Sequence, residues 1–303
     1  MNILTFDIEE WALETAHAGG PRLNKLQEYD TILSWILDLL AKENLLATFF
    51  CTGKMAEEFP NVIKKIFANG HEIACHSYLH TWCNKMSLQQ MEEDTHSAID
   101  ALEQCIGEKI KGYRAPAFSI TEKNVGAFEI LAKYGIEYDS SIFPAVRDFG
   151  GFPAFGYDTP TTITYNGLSL HEFPIPLMSI MGKRIAYSGG GYFRLFPLSI
   201  VQNEISKSSY AMTYFHIGDL LKEPKKMMSR QAYENYFKEP GTFTNRLKRY
   251  IKSNLAVGDT TTKLCQLIQN SDNKFIDIRQ ANQFIDWTNS PIKSLCTETI
   301  LNV

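Results

Sequence analysis

The stretch ACHSYLH, residues 74–80, sets His76 and His80 four residues apart. Two imidazoles at that spacing form a metal clamp or arise by accident on an ordinary helix or loop, so other residues must converge with them. In TFDIEEW, Asp7 and Glu9 are two apart; strand alternation turns both carboxylates to one face and Ile8 away. A carboxylate with two imidazoles makes a three-ligand site with positions left open for water, as in catalytic zinc centres. On this reading Glu9, His76 and His80 hold a divalent ion, which polarises a carbonyl and acidifies water. Asp7, beside the ion and not bound to it, takes the proton from that water, and His216 in TYFHI protonates the leaving group. Singly, each residue also has an ordinary reading: Asp7 as an N-cap, Glu9 and Glu10 as a solvated rim, His216 as a satisfied core histidine. Cys75 falls on the opposite strand face from His76, so the two are not expected to share an ion.

Such residues need a scaffold that brings distant segments to one edge. Strand-like runs alternate with amphipathic ones: NILTFDI as a strand, DTILSWILDLLAKENL as a helix capped by Asp30, ATFFCTG as a strand closed by Gly53. A helix NVIKKIFANG ended by Gly70, a strand HEIAC and a helix opened by a Ser87/Gln90 capping box and ended by Gly107 follow. KIKGY, a helix over TEKNVGAFEILAKYG, IEYD and a late strand AMTYFHI complete the pattern, which predicts a mainly parallel sheet with helices outside it. In that architecture working residues lie at the carboxyl ends of strands. Asp7, Glu9, His76, His80, Arg114, Asp139 and His216 all fall there. Residues 144–195 are rich in Gly, Pro and aromatics and read as long loops over the site; the last eighty or so read as helical, with no evident chemistry.

Bulk properties bound the answer. The chain has 303 residues, 44% hydrophobic and 21% charged, which allows one large barrel or two smaller domains. With a net charge of −4, the short basic stretches KRYIKSNL and KEPKKMM read as solvated helix or loop, and no nucleic-acid partner is expected. Early carboxylates and the lack of an eighteen-residue apolar run point to a soluble, cytoplasmic protein without a membrane span. The six cysteines are scattered without a CxxC pair and read as reduced thiols.

The order TFDIEEW, ATFFCTG, HEIACHSYLH, GYRAPAFS, YDSSIFP and TYFHIGDL resembles the polysaccharide deacetylases of the NodB-homology type, over roughly residues 1–220. SGGGYFRLFP and RLKRYIKSN resemble a subgroup found with exopolysaccharide and surface-glycan biosynthesis. The resemblance implies an α/β fold: a distorted (β/α) barrel of seven strands over 1–220, with a helical extension over 221–303 packed on it. It also implies metal-dependent hydrolysis of an N-acetyl amide on a sugar, with release of acetate. By the same resemblance Asp7 is the base, tethered by Arg114; His76 and His80 bind the metal; His216 is the acid, oriented by Asp139; and the amide of Ala117 is the oxyanion donor. Phe118, Tyr192 and Arg194 are the expected substrate contacts. Ile8 stands where most members have a second aspartate, which leaves Glu9 as the substitute ligand and Glu10 as the fallback, and Ile-Gly-Asp follows His216 where Pro-Trp-Glu is usual. The expected ion is zinc, with cobalt or nickel as alternatives, and the expected substrate an N-acetylated sugar or a nucleotide-linked or lipid-linked glycan intermediate. A metal-free hydrolase of small amides or ureides and a non-catalytic glycan-binding protein are the rival readings.

Overall fold

A computed structural model of the chain describes residues 1–15, 23–147, 149–222, 226–237, 239–255, 258–271 and 274–296. The basic stretch KEPKKMM falls partly outside them, at 223–225. NILTFDI forms β1 (Asn2–Ile8), buried along its whole length as a strand covered on both faces must be. After it come α1 (Glu10–Thr15), α2 (Leu23–Glu43), β2 (Thr48–Cys51), α3 (Gly53–Glu58), α4 (Pro60–Ala68), β3 (Glu72–Cys75) and α5 (Leu88–Ile106). Next are β4 (Gly112–Tyr113), α6 (Ala127–Lys133), β5 (Tyr138–Asp139), β6 (Thr161–Tyr165), β7 (Leu168–Glu172), β8 (Leu177–Ile180) and β9 (Lys183–Ala186). The rest comprises α7 (Gly190–Leu195), α8 (Leu198–Lys207), β10 (Ala211–His216), α9 (Arg230–Phe237), α10 (Phe243–Asn254), α11 (Thr260–Gln269), β11 (Phe275–Ile276), α12 (Ile278–Phe284) and β12 (Ile292–Ser294).

Seven parallel strands run β10-β1-β2-β3-β4-β5-β7 and make the distorted (β/α) barrel expected from the sequence. Between β7 and β10, side chains span the wall: the Tyr210 hydroxyl donates to the Pro174 carbonyl at 2.7 Å, and Ser140 Oγ, just after β5, reaches both the Phe173 carbonyl at 3.0 Å and Met212 Sδ of β10 at 3.6 Å. The Ser87/Gln90 capping box opens α5 and Gly107, at φ 76°, ends it, both as predicted. Close approach explains Gly53: a Cβ there meets Tyr78 Cδ2 at 2.6 Å and the Ala98 Cα at 2.8 Å, so α3 and α5 pack at this distance only over glycine.

Several elements differ from the sequence expectation. Asp30 is interior to α2, because Leu26 and Tyr29 extend the apolar stripe upstream; its carboxylate accepts the Trp11 indole N–H at 2.9 Å instead of capping. Gly53 opens α3, with Thr52 as its N-cap, rather than closing β2. Residues 144–195 are not mainly loop: β6 pairs antiparallel with β7 on the barrel edge, and β8 with β9 in a separate hairpin. The C-terminal region is not wholly helical, since β11 pairs with β1 and β12 with β6.

Candidate active site

Parallel strands end together, so the loops after β1, β3, β4 and β10 meet at one edge. Just past β1, Glu9 Oε2 lies 2.6 Å from His80 Nε2 and 3.7 Å from His76 Nε2. All three residues are buried, and their ligand atoms lie within 4.8 Å of one another. The loop after β3 reaches this geometry through left-handed backbone at Ser77 (φ 66°) and His80 (φ 59°), strain of the kind that collects at functional sites. His76 Nδ1 sits 2.7 Å from the Arg114 carbonyl; a carbonyl only accepts, so Nδ1 carries the proton and Nε2 presents a lone pair inward. Burial holds the His76 imidazole down to about 4, against the pull of Asp7, and so keeps it neutral. Burial alone would raise the Glu9 carboxyl, but His80, His216 and His76 outweigh it and hold it at about 2. His76 Nε2 is buried without a hydrogen-bond partner, and Glu9 Oε2 is buried against the His80 imidazole. A buried anionic oxygen between two imidazoles, one of them presenting an unpartnered lone pair, fits a divalent cation. Glu10, the fallback ligand, lies outside this trio: its Oε1 accepts the Gly218 N–H at 2.6 Å.

Beside the trio, Asp7 Oδ1 accepts from Arg114 Nη1 at 2.7 Å, with both side chains buried. Arg114 also donates to Thr5 Oγ1 and Ser140 Oγ, and its guanidinium lies 3.9 Å from the Phe50 ring centroid. Fixed on so many sides, it locks the Asp7 rotamer. The second Asp7 oxygen is 3.7 Å from His216 Nε2, which is also 3.7 Å from Glu9 Oε1. On its other side His216 Nδ1 meets Asp219 Oδ2 at 3.1 Å, and Asp219 Oδ1 lies 3.5 Å from Arg194 Nη1. Burial pulls the His216 imidazole down, but Asp219, Glu9 and Asp7 overcome it and push it up to about 10. His216 is therefore a proton donor at neutral pH, next to a carboxylate placed to accept one.

Two expected roles, those of Asp139 and Phe118, meet a different geometry. Asp139 does not reach His216; its carboxylate accepts from the Ser141 hydroxyl at 2.6 Å and the Ser141 N–H at 3.1 Å, and shares a buried contact with Glu172. The carboxylate on His216 is Asp219, three residues on, a spacing present in HIGD and not singled out from the sequence. Phe118 is 4% exposed and packs on Phe143 and Tyr214, so it supports the site from behind rather than facing a substrate. The Arg194 side chain is largely buried, with Nη1 3.5 Å from Asp219 Oδ1. Tyr192 is half-buried against the core cluster that contains Tyr214.

The oxyanion candidate Ala117 sits in a turn where it and Phe118 both adopt left-handed backbone, at φ 55° and 54°. Ser141 holds that turn, its hydroxyl accepting the Ala115 N–H at 2.8 Å. Ala117 packs on an aromatic cluster of Trp82, Phe149, Tyr233, Tyr236 and Phe237. Within it Tyr236 of α9 stacks on the ring of His80 at 6.1 Å. The C-terminal region, read from sequence as chemically silent, thus supplies part of the site wall.

Residues 4–138 match the sequence profile of the polysaccharide deacetylase family, and residues 140–283 match a domain of unknown function, DUF3473. A peptidoglycan deacetylase of Helicobacter pylori is 32% identical over 107 residues, 35% of this chain and 36% of its own length. A peptidoglycan-N-acetylglucosamine deacetylase of Bacillus cereus is 34% identical over 90 residues, 30% of this chain and 33% of its own length. The chain thus spans about a third of the length of these relatives. A solved structure from Mycobacterium smegmatis, described as a candidate polysaccharide deacetylase, superposes with a TM-score of 0.63 at 20% identity, covering 97% of this chain and 93% of that one. This likeness shows the fold.

Proposed function

We propose that this chain, with its polysaccharide deacetylase match over residues 4–138, is a metal-dependent N-deacetylase that hydrolyses the N-acetyl amide of an amino sugar in a glycan or glycan precursor. The observation that carries the reading is the convergence of Glu9, His76 and His80 beside an Asp7 held by Arg114. Glu9, His76 and His80 would hold the ion, zinc or alternatively cobalt or nickel, which when bound would supply Lewis-acid polarisation of the acetyl carbonyl and acidification of a water. Asp7 accepts the proton as the water oxygen adds to the carbonyl carbon. The amide of Ala117 serves the developing oxyanion. His216 gives its proton to the nitrogen as the C–N bond breaks, leaving acetate and a free amine, and Asp219 keeps the imidazolium in place. The segments resembling exopolysaccharide and surface-glycan proteins favour such a glycan as the substrate.

The test is bound-metal analysis with acetate release from N-acetylated sugars. Asp7→Asn is expected to keep the metal and lose turnover by about a thousandfold or more, as removal of a general base does. His76→Ala is expected to lose both. Purified wild type that takes up no divalent ion, or full activity in Asp7→Asn, defeats the mechanism.

A further inference from the structure

Helix α10 (FTNRLKRYIKSN) has no buried residue. Phe243, Leu247, Tyr250 and Ile251 recur at i, i+4, i+7 and i+8, one stripe of the helix surface. Phe243 is 60% exposed, Ile251 53%, and Leu255 at the C-cap 49%. The helix carries Arg246, Lys248, Arg249 and Lys252 and no acidic residue, in a chain whose net charge is −4, and of the four Lys248 and Lys252 lie outside its inward contacts with Phe149, Phe237 and Met228. The inward side of the helix is fixed by contacts. The Arg249 guanidinium lies 4.3 Å from the Phe149 ring centroid and 4.4 Å from that of Phe237, and Arg246 donates to the Met228 carbonyl at 3.1 Å. The stripe therefore faces away from α9, whose Tyr236 stacks on the metal-site His80. Leu79, the residue before His80, is itself 56% exposed.

An apolar stripe bordered by Lys and Arg is the composition of a helix lying in the headgroup layer of an anionic bilayer, where the stripe reaches the acyl boundary and the cations meet lipid phosphates. A second copy suits the face less well, since pairing two such helices sets Lys248 and Lys252 of one against those of the other. No helix among the described residues is long and apolar enough to cross a membrane, so attachment through this face is peripheral.

We propose that α10 seats the chain on an anionic lipid surface and thereby presents the site to glycans attached to lipid. The second clause rests on the deacetylase reading; the first does not. Sedimentation of the full chain with vesicles tests it. Wild type is expected to pellet with phosphatidylcholine vesicles containing phosphatidylglycerol, and much less with pure phosphatidylcholine or at high salt. Phe243→Ser with Ile251→Ser is expected to weaken that binding at least about tenfold while leaving the melting curve and acetate release from a soluble N-acetyl sugar unchanged. Lys248→Glu should reduce binding to the anionic vesicles alone. Binding by Asp7→Asn at the wild-type level supports lipid attachment whatever happens to the chemistry. Wild type left in the supernatant with anionic vesicles overturns the proposal, as does a concentration-dependent dimer that the double variant dissolves.

Discussion

Asp219 decides how firmly His216 keeps its proton. Burial alone would lower the imidazole below its ordinary value; the carboxylate on Nδ1, with Glu9 and Asp7 near Nε2, reverses that and raises it to about 10. The acid acts while protonated, so turnover falls as pH rises through its pKa, and anything that lowers the pKa brings the alkaline limb toward neutrality. Asp219→Asn removes the largest favourable partner, and the alkaline limb of the kcat–pH profile is expected to shift to lower pH. A limb that stays in place would show that Asp219 does not tune the acid. At this scale the sequence was readable wherever strand alternation and strand ends fixed a residue's place, as for Asp7, Glu9, His76, His80 and Arg114. Contacts that depend on how a short loop closes, such as the i, i+3 reach from His216 to Asp219, are set by tertiary packing and were not. Asp139, at the right strand end, was assigned to the wrong partner for that reason.

The oxyanion turn is held by a chain running from Asp139 through Ser141 to the Ala115 amide, which ties the end of β5 to the loop after β4. Ser141→Ala leaves that buried N–H without its acceptor, costing about 1–3 kcal/mol of stability and loosening the strained pair Ala117 and Phe118. Because Ser141 contacts none of the metal trio in the hydrogen bonds described, the expected result is metal binding at the wild-type level with kcat lowered about tenfold, read by titrating metal and measuring acetate release on one preparation. Loss of metal together with activity would place Ser141 in the metal shell instead. Elements with a strong period and clear caps, β1 and α5 above all, were legible before the fold was known. The hairpins of 161–186 were hidden by surrounding glycines, prolines and aromatics, although Asn166-Gly167 carries the two-residue turn signal outright, with φ of 49° and 79°. Weight given to composition over that dipeptide is what turned strands into loops.

At the end of the barrel opposite the site, the chain's late segment is fastened to its early strands by one buried acid. Glu72 accepts from Thr48 Oγ1 and from the Arg279 N–H, and it bonds the Tyr138 hydroxyl; the Ile278 N–H donates to Thr48 Oγ1 alongside. Neither residue 72 nor 279 stood out in the sequence, because a contact spanning 207 positions leaves no local pattern. Burial, together with the neighbouring Asp277, pushes the Glu72 carboxyl up to about 7, against the pull of its hydrogen bonds. Folding thus raises its proton affinity above that of the unfolded chain. The stability tied to this proton is whole below the ordinary carboxylate range, about pH 4.5, and is lost as pH climbs through about 7, on the order of 3 kcal/mol in all. Glu72→Gln keeps the shape of the side chain and abolishes the titration. The difference in melting temperature between wild type and this variant is expected to move in the variant's favour as pH rises from 5 to 8, within the order-of-magnitude window set above. A difference that stays constant across that range would mean Glu72 titrates alike in the folded and unfolded chain, and that α12 is held by its neighbours' hydrogen bonds alone.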